Sequence, residues 1–454
     1  MMLWQNSAKK YKSMWAEAVW TFMRLMDTTK HGSGLNLALK FFPFAIILEL
    51  PLYLLVLIGI IRYTLAKTRP VLWREKYPSV SCTITCYSEG RDVIKTILSL
   101  AYQEYPGFIQ IIPVIDGALQ NANTLSAALS CIQEVNKLPN RRLQVIPKWQ
   151  RGGRVSSLNT GLMFATGEII MALDGDTSFD NDMIQNATQH FDDPNVIGVA
   201  GCLRVRNRDK SLTTIFQNIE YMLSIAAGKT GLSEFDVVNN ISGAFGVFRT
   251  SFIRITGGWD AGTAEDLDMT LRIKQHFGRH SRLRIVFDPM AIGHTDVPVT
   301  FKDFIKQRWR WDGDLFYIFI RKYRYNIRPK LLGWKNFFFI LYSGLIQQIL
   351  MPFIITFYTV ALFILFDTGV IVGLLMFIYC VYLIALLILF IFYIIGISER
   401  ISQDIKYLPF LLLYPFFAFI TRVNSAFAII QEIFIGTHYD SAMAPWWVLR
   451  KTKF

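Results

Sequence analysis

Cysteine is scarce in this chain, and its few copies form no familiar device. There are five among 454 residues: Cys82, Cys86, Cys131, Cys202 and Cys380. Cys82 and Cys86 fall in an apolar, strand-like run. Their spacing is wrong for a zinc knuckle, and no second cysteine pair or histidine pair follows. This argues against a zinc-organised fold and for buried thiols in a reducing compartment. Helix-turn-helix, zinc-finger and RNA-binding signatures are missing, as are internal repeats and low-complexity linkers. The net charge of +13 therefore needs a partner other than nucleic acid. Its cations are scattered beside apolar segments, which suits lipid head groups. No cleavable leader is evident either. Met1 to Met26 mixes Lys9, Lys10 and Lys12 with Trp4, Trp15, Trp20 and Phe22, an amphipathic, interface-lying pattern.

What is abundant is apolar surface. Hydrophobic residues make up 52% of the chain and aromatics 15%, with 36 Phe, too much for one water-soluble core. The length allows one domain of ordinary size plus a membrane region, or two soluble domains, and the composition favours the first. Phe41 to Leu65 is interrupted by Glu49 and Pro51 yet is long enough to span a bilayer at about 20 residues per crossing. Lys67, Arg69, Arg74 and Lys76 follow it and mark the cytoplasmic side. Near the other end, Phe337 to Phe366 (with Pro352 inside) and Val370 to Ile397 read as spans. Tyr407 to Ile420 is short, and residues 421–435 continue it with Arg422, Asn424 and Glu432. Pro409 and Pro415 make this last segment a candidate re-entrant or interfacial element. The tail, with Trp446, Trp447, Arg450, Lys451 and Lys453, suits a membrane surface.

Between about Pro78 and Phe316 short apolar runs alternate with helix-like stretches. Strands are expected at 79–86, 109–115, 143–146 and 168–173, and helices at 91–102, 125–138 and 155–165. Such alternation implies βαβ units and a largely parallel sheet, with ligands gathered at the carboxyl ends of its strands. Two acidic motifs fall at such ends. In Leu173-Asp174-Gly175-Asp176, alternating side chains would point both carboxylates one way, and glycine lets a ligand approach. Two hard oxygen donors suit Mg2+ or Mn2+, leaving positions for diphosphate and water. An isolated D-G-D is equally an ordinary solvated turn. Asp116-Gly117 closes the second strand, and a lone acid there is more often a turn than a site. Glu265-Asp266 opens a helical run, where N-terminal capping alone would also explain the acids. Gln307-Arg308-Trp309-Arg310-Trp311-Asp312-Gly313-Asp314 packs charge and indole together. It reads either as an interfacial anchor or as a guanidinium for diphosphate beside an indole for a sugar ring. Asp312-Gly313-Asp314, which follows no apolar strand, ranks below Asp174 and Asp176 as a metal site.

In this order the motifs resemble the family 2 processive glycosyltransferases, which include cellulose, chitin, hyaluronan, curdlan and poly-N-acetylglucosamine synthases. The resemblance covers roughly 78–314 and rests most on Gln307-x-x-Arg310-Trp311, matching Q-x-x-R-W. Asp174-Gly175-Asp176 matches D-x-D, Glu265-Asp266 matches the E-D pair, and Ser242-Gly243-Ala244-Phe245-Gly246 looks like the acceptor-site segment. The resemblance implies a GT-A α/β nucleotide-sugar domain inserted between transmembrane helices. It divides the chain into an interfacial segment (1–36), a span (37–66), a cytoplasmic catalytic domain (77–316), an interfacial helix region (317–335), C-terminal membrane helices (336–435) and a basic tail (436–454).

Carried over by residue, the resemblance implies that Tyr87 and Glu89 hold the nucleobase and Asp116 contacts uridine. Arg154 would lie near the diphosphate, Asp174 would face the donor ribose or sugar, and Asp176 would hold the metal. Gly243 would line the acceptor site. Asp266, beside Glu265, would be the catalytic base, and Gln307, Arg310 and Trp311 would close over diphosphate and acceptor. Two positions depart from the pattern: Ile115 replaces the first aspartate of D-D-G, and Ala264 replaces the usual threonine or serine before E-D. The implied reaction is inverting transfer from a UDP-sugar to a growing β-linked polysaccharide at the plasma membrane, with the product fed across the bilayer. Four spans are few for a pore, so an oligomer or export partner would help. A single-sugar transferase acting on a lipid acceptor shares much of this motif set, and a silent nucleotide-sugar receptor is the non-enzymatic alternative.

Overall fold

The computed structural model describes residues 2–28, 42–66, 76–260 and 264–436, with side chains for all of these except 2–12 and 28. The cation flank at Lys67, Arg69 and Arg74 and the tail beyond Gly436 lie outside them, as do the side chains of Trp4, Lys9, Lys10 and Lys12.

Nine strands form one mixed sheet among the described residues. They are β1 (Val80–Cys86), β2 (Ile109–Asp116), β3 (Arg141–Leu143), β4 (Ile146–Lys148), β5 (Ile169–Asp174), β6 (Ser178–Phe179), β7 (Val196–Val205), β8 (Phe245–Arg249) and β9 (Arg284–Thr295). The order is β3-β2-β1-β5-β8-β7-β9-β6, with β4 also on β2. The first half is parallel: β1 lies between β2 and β5, and β3 and β4 extend β2. β8 runs antiparallel between β5 and β7. From β1 the chain winds first toward β2 and later back to β5. The carboxyl ends of these strands therefore flank a topological switch point, where open α/β sheets bind ligands. Asp116 and Asp174 end β2 and β5 there.

β1 is buried on both faces, as a central parallel strand must be. Val80, Cys82, Ile84 and Cys86 enter one apolar cluster, while Ser81, Thr83 and Thr85 point the other way, toward the Gly153–Phe164 helix. All five cysteines are free, and four of them are buried. On the helix side the core does not stop at the domain edge. Ile112, Ile170, Leu158 and Phe248 belong to the same cluster as Val56, Ile60, Phe390, Tyr393, Leu411 and Phe417. Among the described residues four helices are long and apolar enough to cross a membrane: Ala45–Ala66, Pro329–Leu365, Thr368–Gly396 and Tyr414–Ile435.

Several local expectations change. The single strand expected at 143–146 is two short strands, β3 and β4, because each pairs with a different stretch of β2. The helix expected at 125–138 begins at Ala122 and breaks at Cys131. The final apolar segment is not continuous from Tyr407. Pro409 sits in a tight 3-10 turn, Ile405–Leu412, and Pro415 occupies the first turn of Tyr414–Ile435, where a missing N–H costs nothing. Gly333, at φ 71°, interrupts the long Pro329–Leu365 helix near its start.

The Gly153–Phe164 helix rests on β1 through Gly161, where an added Cβ would collide with the Thr83 side chain. Glycine in a helix interior costs about 1 kcal/mol relative to alanine, but overpacking costs about 1–3 kcal/mol. Gly161→Ala is therefore expected to lower the thermal unfolding midpoint in detergent, not to raise it as helix propensity alone would.

Candidate active site

The loop after β1 makes a sharp turn, with Ser88 at φ 71° and Gly90 at φ 58°. The Ser88 hydroxyl donates to Asn121 (3.2 Å), and the Gly90 N–H to the Thr124 hydroxyl (2.9 Å). The Tyr87 N–H donates to Glu89 Oε1 at 2.7 Å. The Tyr87 ring lies under the Arg151 guanidinium, 3.9 Å from its centroid. The Glu89 carboxyl packs against the middle residue of the D-G-D motif. A Cβ at Gly175 would stand 3.0 Å from the Glu89 carboxyl carbon and from the Thr85 carbonyl oxygen. Glycine is thus needed there for protein packing as well as for access. Burial pushes the Glu89 carboxyl up, with the Asp176 charge adding to it against two backbone hydrogen bonds.

The two carboxylates of D-G-D do not act as a pair. β5 ends at Asp174, so strand alternation does not continue to Asp176. Asp174 turns to Arg154, whereas Asp176 is exposed beside Glu89. Asp116 is buried, and protein groups engage both its oxygens. Lys148 Nζ donates at 2.7 Å, and the N–H groups of Gly152 and Gly153 each donate at 2.8 Å. It therefore anchors the N-terminus of the Gly153–Phe164 helix, a favourable place for a negative charge.

That helix delivers Arg154 to the centre. Its guanidinium binds the Thr85 hydroxyl (2.9 Å), Asp174, Glu265 Oε1 (2.5 Å) and the Gly243 carbonyl (2.5 Å). Two strands, a turn and the Glu265–Lys274 helix meet on one side chain. Along that last helix, Asp266, Thr270 and Lys274 share a face at four-residue spacing. The segment 238–243 is latched to it: Gly243 N–H to Asp266 Oδ2 (3.1 Å), Ile241 N–H to the Thr270 hydroxyl (3.0 Å), and Lys274 Nζ to the Val238 carbonyl (2.6 Å). Asp266 also accepts from Asn240 Nδ2 at 3.4 Å and from the Leu267 N–H at 2.8 Å. Burial, and then the neighbouring Glu265 charge, push its carboxyl up to about 6. Asp268, buried on the same helix, accepts from Arg272 (2.8 Å), Lys322 (2.6 Å) and Tyr323 (2.6 Å), tying the helix to the segment after Phe316.

Gln307, Arg310 and Trp311 lie on the Phe301–Phe316 helix, which docks on the last membrane helix. Trp309 Nε1 donates to Asn424 (2.7 Å), Ser425 to Asp312 (2.7 Å), and Arg308 binds Glu220 (2.7 Å). Asp312 thus faces the Tyr414–Ile435 helix, in keeping with its low rank as a metal ligand. Arg310 has no hydrogen bond or ion pair among the described residues, and Trp311 is 37% exposed with Arg308 over its ring. No hydrogen bond or ion pair among the described residues joins Gln307, Arg310 or Trp311 to Asp174, Asp176 or Asp266. The sequence brings one group together at Arg154 (Asp174, Gly243, Glu265, Asp266), keeps Glu89 and Asp176 as neighbours, and leaves the Q-x-x-R-W residues on a separate element.

Known proteins supply the chain's family. A family model described as glycosyl transferase family group 2 matches residues 169–420, and one described as glycosyl transferase family 2 matches 81–256. The chain belongs to this family. Every residue singled out above as a candidate from the sequence falls within the two matches, and the mixed α/β sheet fits the GT-A class expected of a family member. The poly-beta-1,6-N-acetyl-D-glucosamine synthase of Staphylococcus epidermidis is 29% identical over 285 residues, 61% of this chain and 66% of its own length. That of Staphylococcus aureus (strain COL) is 31% identical over 255 residues, 55% of this chain and 58% of its own. The matches thus span less than two thirds of either relative. A solved mannosyltransferase from Pyrobaculum calidifontis, in complex with GDP-Man and Mn2+, aligns at TM-score 0.49 and 17% identity, covering 86% of this chain and 98% of that one.

Thr85, Lys148, Arg151, Thr270 and Lys274 escaped the sequence analysis. The 266–270–274 spacing was there to be read as a polar helix face. Lys148 and Arg151 carried no such signal, since their partners come from other strands. Arg154 is partly buried between two carboxylates, its side chain 12% exposed, and removing one partner from a buried ion pair costs about 3–5 kcal/mol, which solvent access makes an upper bound here. Arg154→Met should lower unfolding stability by that order. Arg154→Lys should restore only part of it, because an ammonium cannot reproduce the guanidinium fork. Denaturant unfolding of the purified protein would measure both.

Proposed function

We propose that this chain is an inverting membrane glycosyltransferase that moves sugar from a UDP-sugar to a growing β-linked polysaccharide. The catalytic domain (77–316) would face the cytoplasm between the first span and the C-terminal membrane helices, and synthesis would be coupled to passage across the bilayer. Family membership supports sugar transfer. The Staphylococcus relatives, named for a β-linked N-acetylglucosamine polymer, support a polymer and put UDP-N-acetylglucosamine first among donors to test. The observation that carries the mechanism is Asp266. It is a carboxylate held by two backbone N–H groups at the acceptor-side turn, with its proton affinity raised into the range where a general base works.

In this reading Asp266 takes the proton of the acceptor hydroxyl as that oxygen attacks the anomeric carbon. One displacement inverts the carbon and expels UDP. Arg310, whose guanidinium has no protein partner among the described residues, is free to meet the negative charge of the diphosphate. Trp311 offers an exposed indole face to the acceptor sugar. Tyr87, capped by Arg151, supplies an aromatic surface for the base. Arg154 is saturated by protein groups and holds Asp174, Glu265 and the Gly243 turn in register.

A divalent metal, Mg2+ or Mn2+, fits the residues at the D-G-D end. Asp176 is exposed, and Glu89 Oε2 is buried beside it with no hydrogen-bond partner, so two hard oxygen donors await a cation. No group of three or more His, Cys, Asp or Glu side chains converges there among the described residues, so most of the coordination would be left to diphosphate and water. Such a metal, when bound, would neutralise the leaving diphosphate.

UDP release from purified enzyme in nanodiscs, measured against a panel of UDP-sugars with Mn2+, tests the proposal. A high-mass, glycosidase-sensitive product is expected, and a single lipid-extractable glycoside would establish the lipid transferase instead. Asp266→Asn should abolish release while donor binding stays nearly intact; full turnover by that variant would refute the base assignment. Protonated Asp266 cannot accept a proton, so kcat should fall about tenfold per unit as pH drops below about 6 and level off above 7.

A further inference from the structure

Two lysines are buried behind the acceptor-side turn, and sugar transfer as derived above uses neither. Lys229 and Lys274 are 5% and 1% exposed. Lys274 Nζ donates to the Val238 carbonyl at 2.6 Å, and Lys229 Nζ to the Asn240 carbonyl at 2.9 Å. They grip the segment from opposite sides, two residues apart. That segment then supplies Asn240 Nδ2 and the Gly243 N–H to Asp266. Burying an ammonium is costly unless its charge is compensated. A methionine or leucine would fill the space of Lys229 without that penalty.

The Lys229–Ser233 helix itself packs on the first candidate span. Gly231 lies against the Leu50–Ala66 helix so closely that a Cβ at Gly59 would collide with the Gly231 carbonyl, while a Cβ at Gly231 would stand 2.5 Å from the Val56 carbonyl. Neither residue can carry a side chain unless the two helices separate. Backbone packs on backbone at the point where the first candidate span meets the lysine-bearing helix.

We propose that Lys229 is a positioning residue for Asp266, and that the first membrane span, through its Gly59 contact, holds Lys229 in place. This rests on Asp266 being the base. The electrostatics agree. Burial and then Glu265 push the Asp266 carboxyl up, with the Lys229 charge opposing them, and burial pushes the Lys229 ammonium down to about 8 even with the Asp266 charge supporting it. The other groups facing the pair are accounted for. Glu265, on the same helix as Asp266, is tied to Arg154, which reaches over from the Gly153–Phe164 helix. Cys202 of β7 faces Lys229 as a thiol that burial pushes up to about 12. Lys274 holds Val238, and burial pushes its ammonium down to about 7. The span thereby acts on the charge state of the base without touching substrate.

The test is the pH profile of UDP release in nanodiscs for the parent, Lys229→Met, Lys229→Arg, Gly59→Ala and Asp266→Asn. Lys229→Met should move the acid-limb midpoint up by about one pH unit, a tenfold loss at low pH that shrinks above pH 8, with donor KM unchanged. Lys229→Arg should keep the parent midpoint. Gly59→Ala, which leaves the polar cluster intact, should shift the limb in the same direction as Lys229→Met. A pH-independent loss in Lys229→Met with an unmoved midpoint would make the lysine a structural clamp only and overturn the proposal. A parental profile for Gly59→Ala would overturn the role of the span, and this variant decides the matter if Lys229→Met fails to assemble. Full activity of Asp266→Asn is a different failure, that of the base assignment itself.

Discussion

One partly buried guanidinium, that of Arg154, holds this site together. Asp174, Glu265 and Asp266 come from a strand end and a helix start that would otherwise repel. At an effective dielectric of 20, two like charges 4 Å apart cost about 4 kcal/mol. Arg154 sits among them and binds two of the three directly, together with a hydroxyl of β1 and the Gly243 carbonyl. Remove it and the end of β5, the Glu265–Lys274 helix and the Gly243 turn lose their common anchor. Asp116 makes this possible at one remove, because its carboxylate fixes the start of the helix from which Arg154 projects.

The second constraint is the absence of a boundary between domain and membrane. The apolar cluster under the sheet includes residues of all four candidate spans: Val56 and Ile60, Phe339, Phe390 and Tyr393, and Phe417. Polar ties reinforce it: Arg204 of β7 binds Asp404 at 2.6 Å and the Tyr393 hydroxyl at 2.7 Å, and Arg400 binds Asp180 at 2.7 Å. A sheet fastened this way cannot swing freely on a linker.

The strand ends were legible because hydrophobic runs stop abruptly at charged residues. Ile109 to Asp116 and Ile169 to Asp174 show this plainly, and both emerged within a residue of expectation. Membrane helices were legible for the same reason at greater length. What could not be read was where each carboxylate turns. Asp174 and Asp176 look equivalent as letters, but the strand ends between them and Arg154 arrives from another element. Asp116 looks like a ligand contact, and within the protein it already accepts hydrogen bonds from Lys148 and two backbone N–H groups. Long-range partners decide side-chain roles, and a linear sequence shows only the local ones. The exception is the Asp266–Thr270–Lys274 face, where helical spacing encodes the arrangement directly.

Two adjacent acids open the Glu265–Lys274 helix, and geometry separates their roles. Glu265 is 2% exposed, and one of its oxygens is clamped by the Arg154 guanidinium. Its other oxygen is buried without a partner, out of reach of an arriving hydroxyl. Asp266 is only partly buried and is oriented by backbone N–H groups, with no cation bonded directly to it. Burial and its neighbour lift its proton affinity to where it can both accept and release a proton near neutral pH. Glu265 is thus the fixed partner of Arg154, and after burial it is the second cause that lifts the Asp266 carboxyl, which is left facing backbone N–H groups.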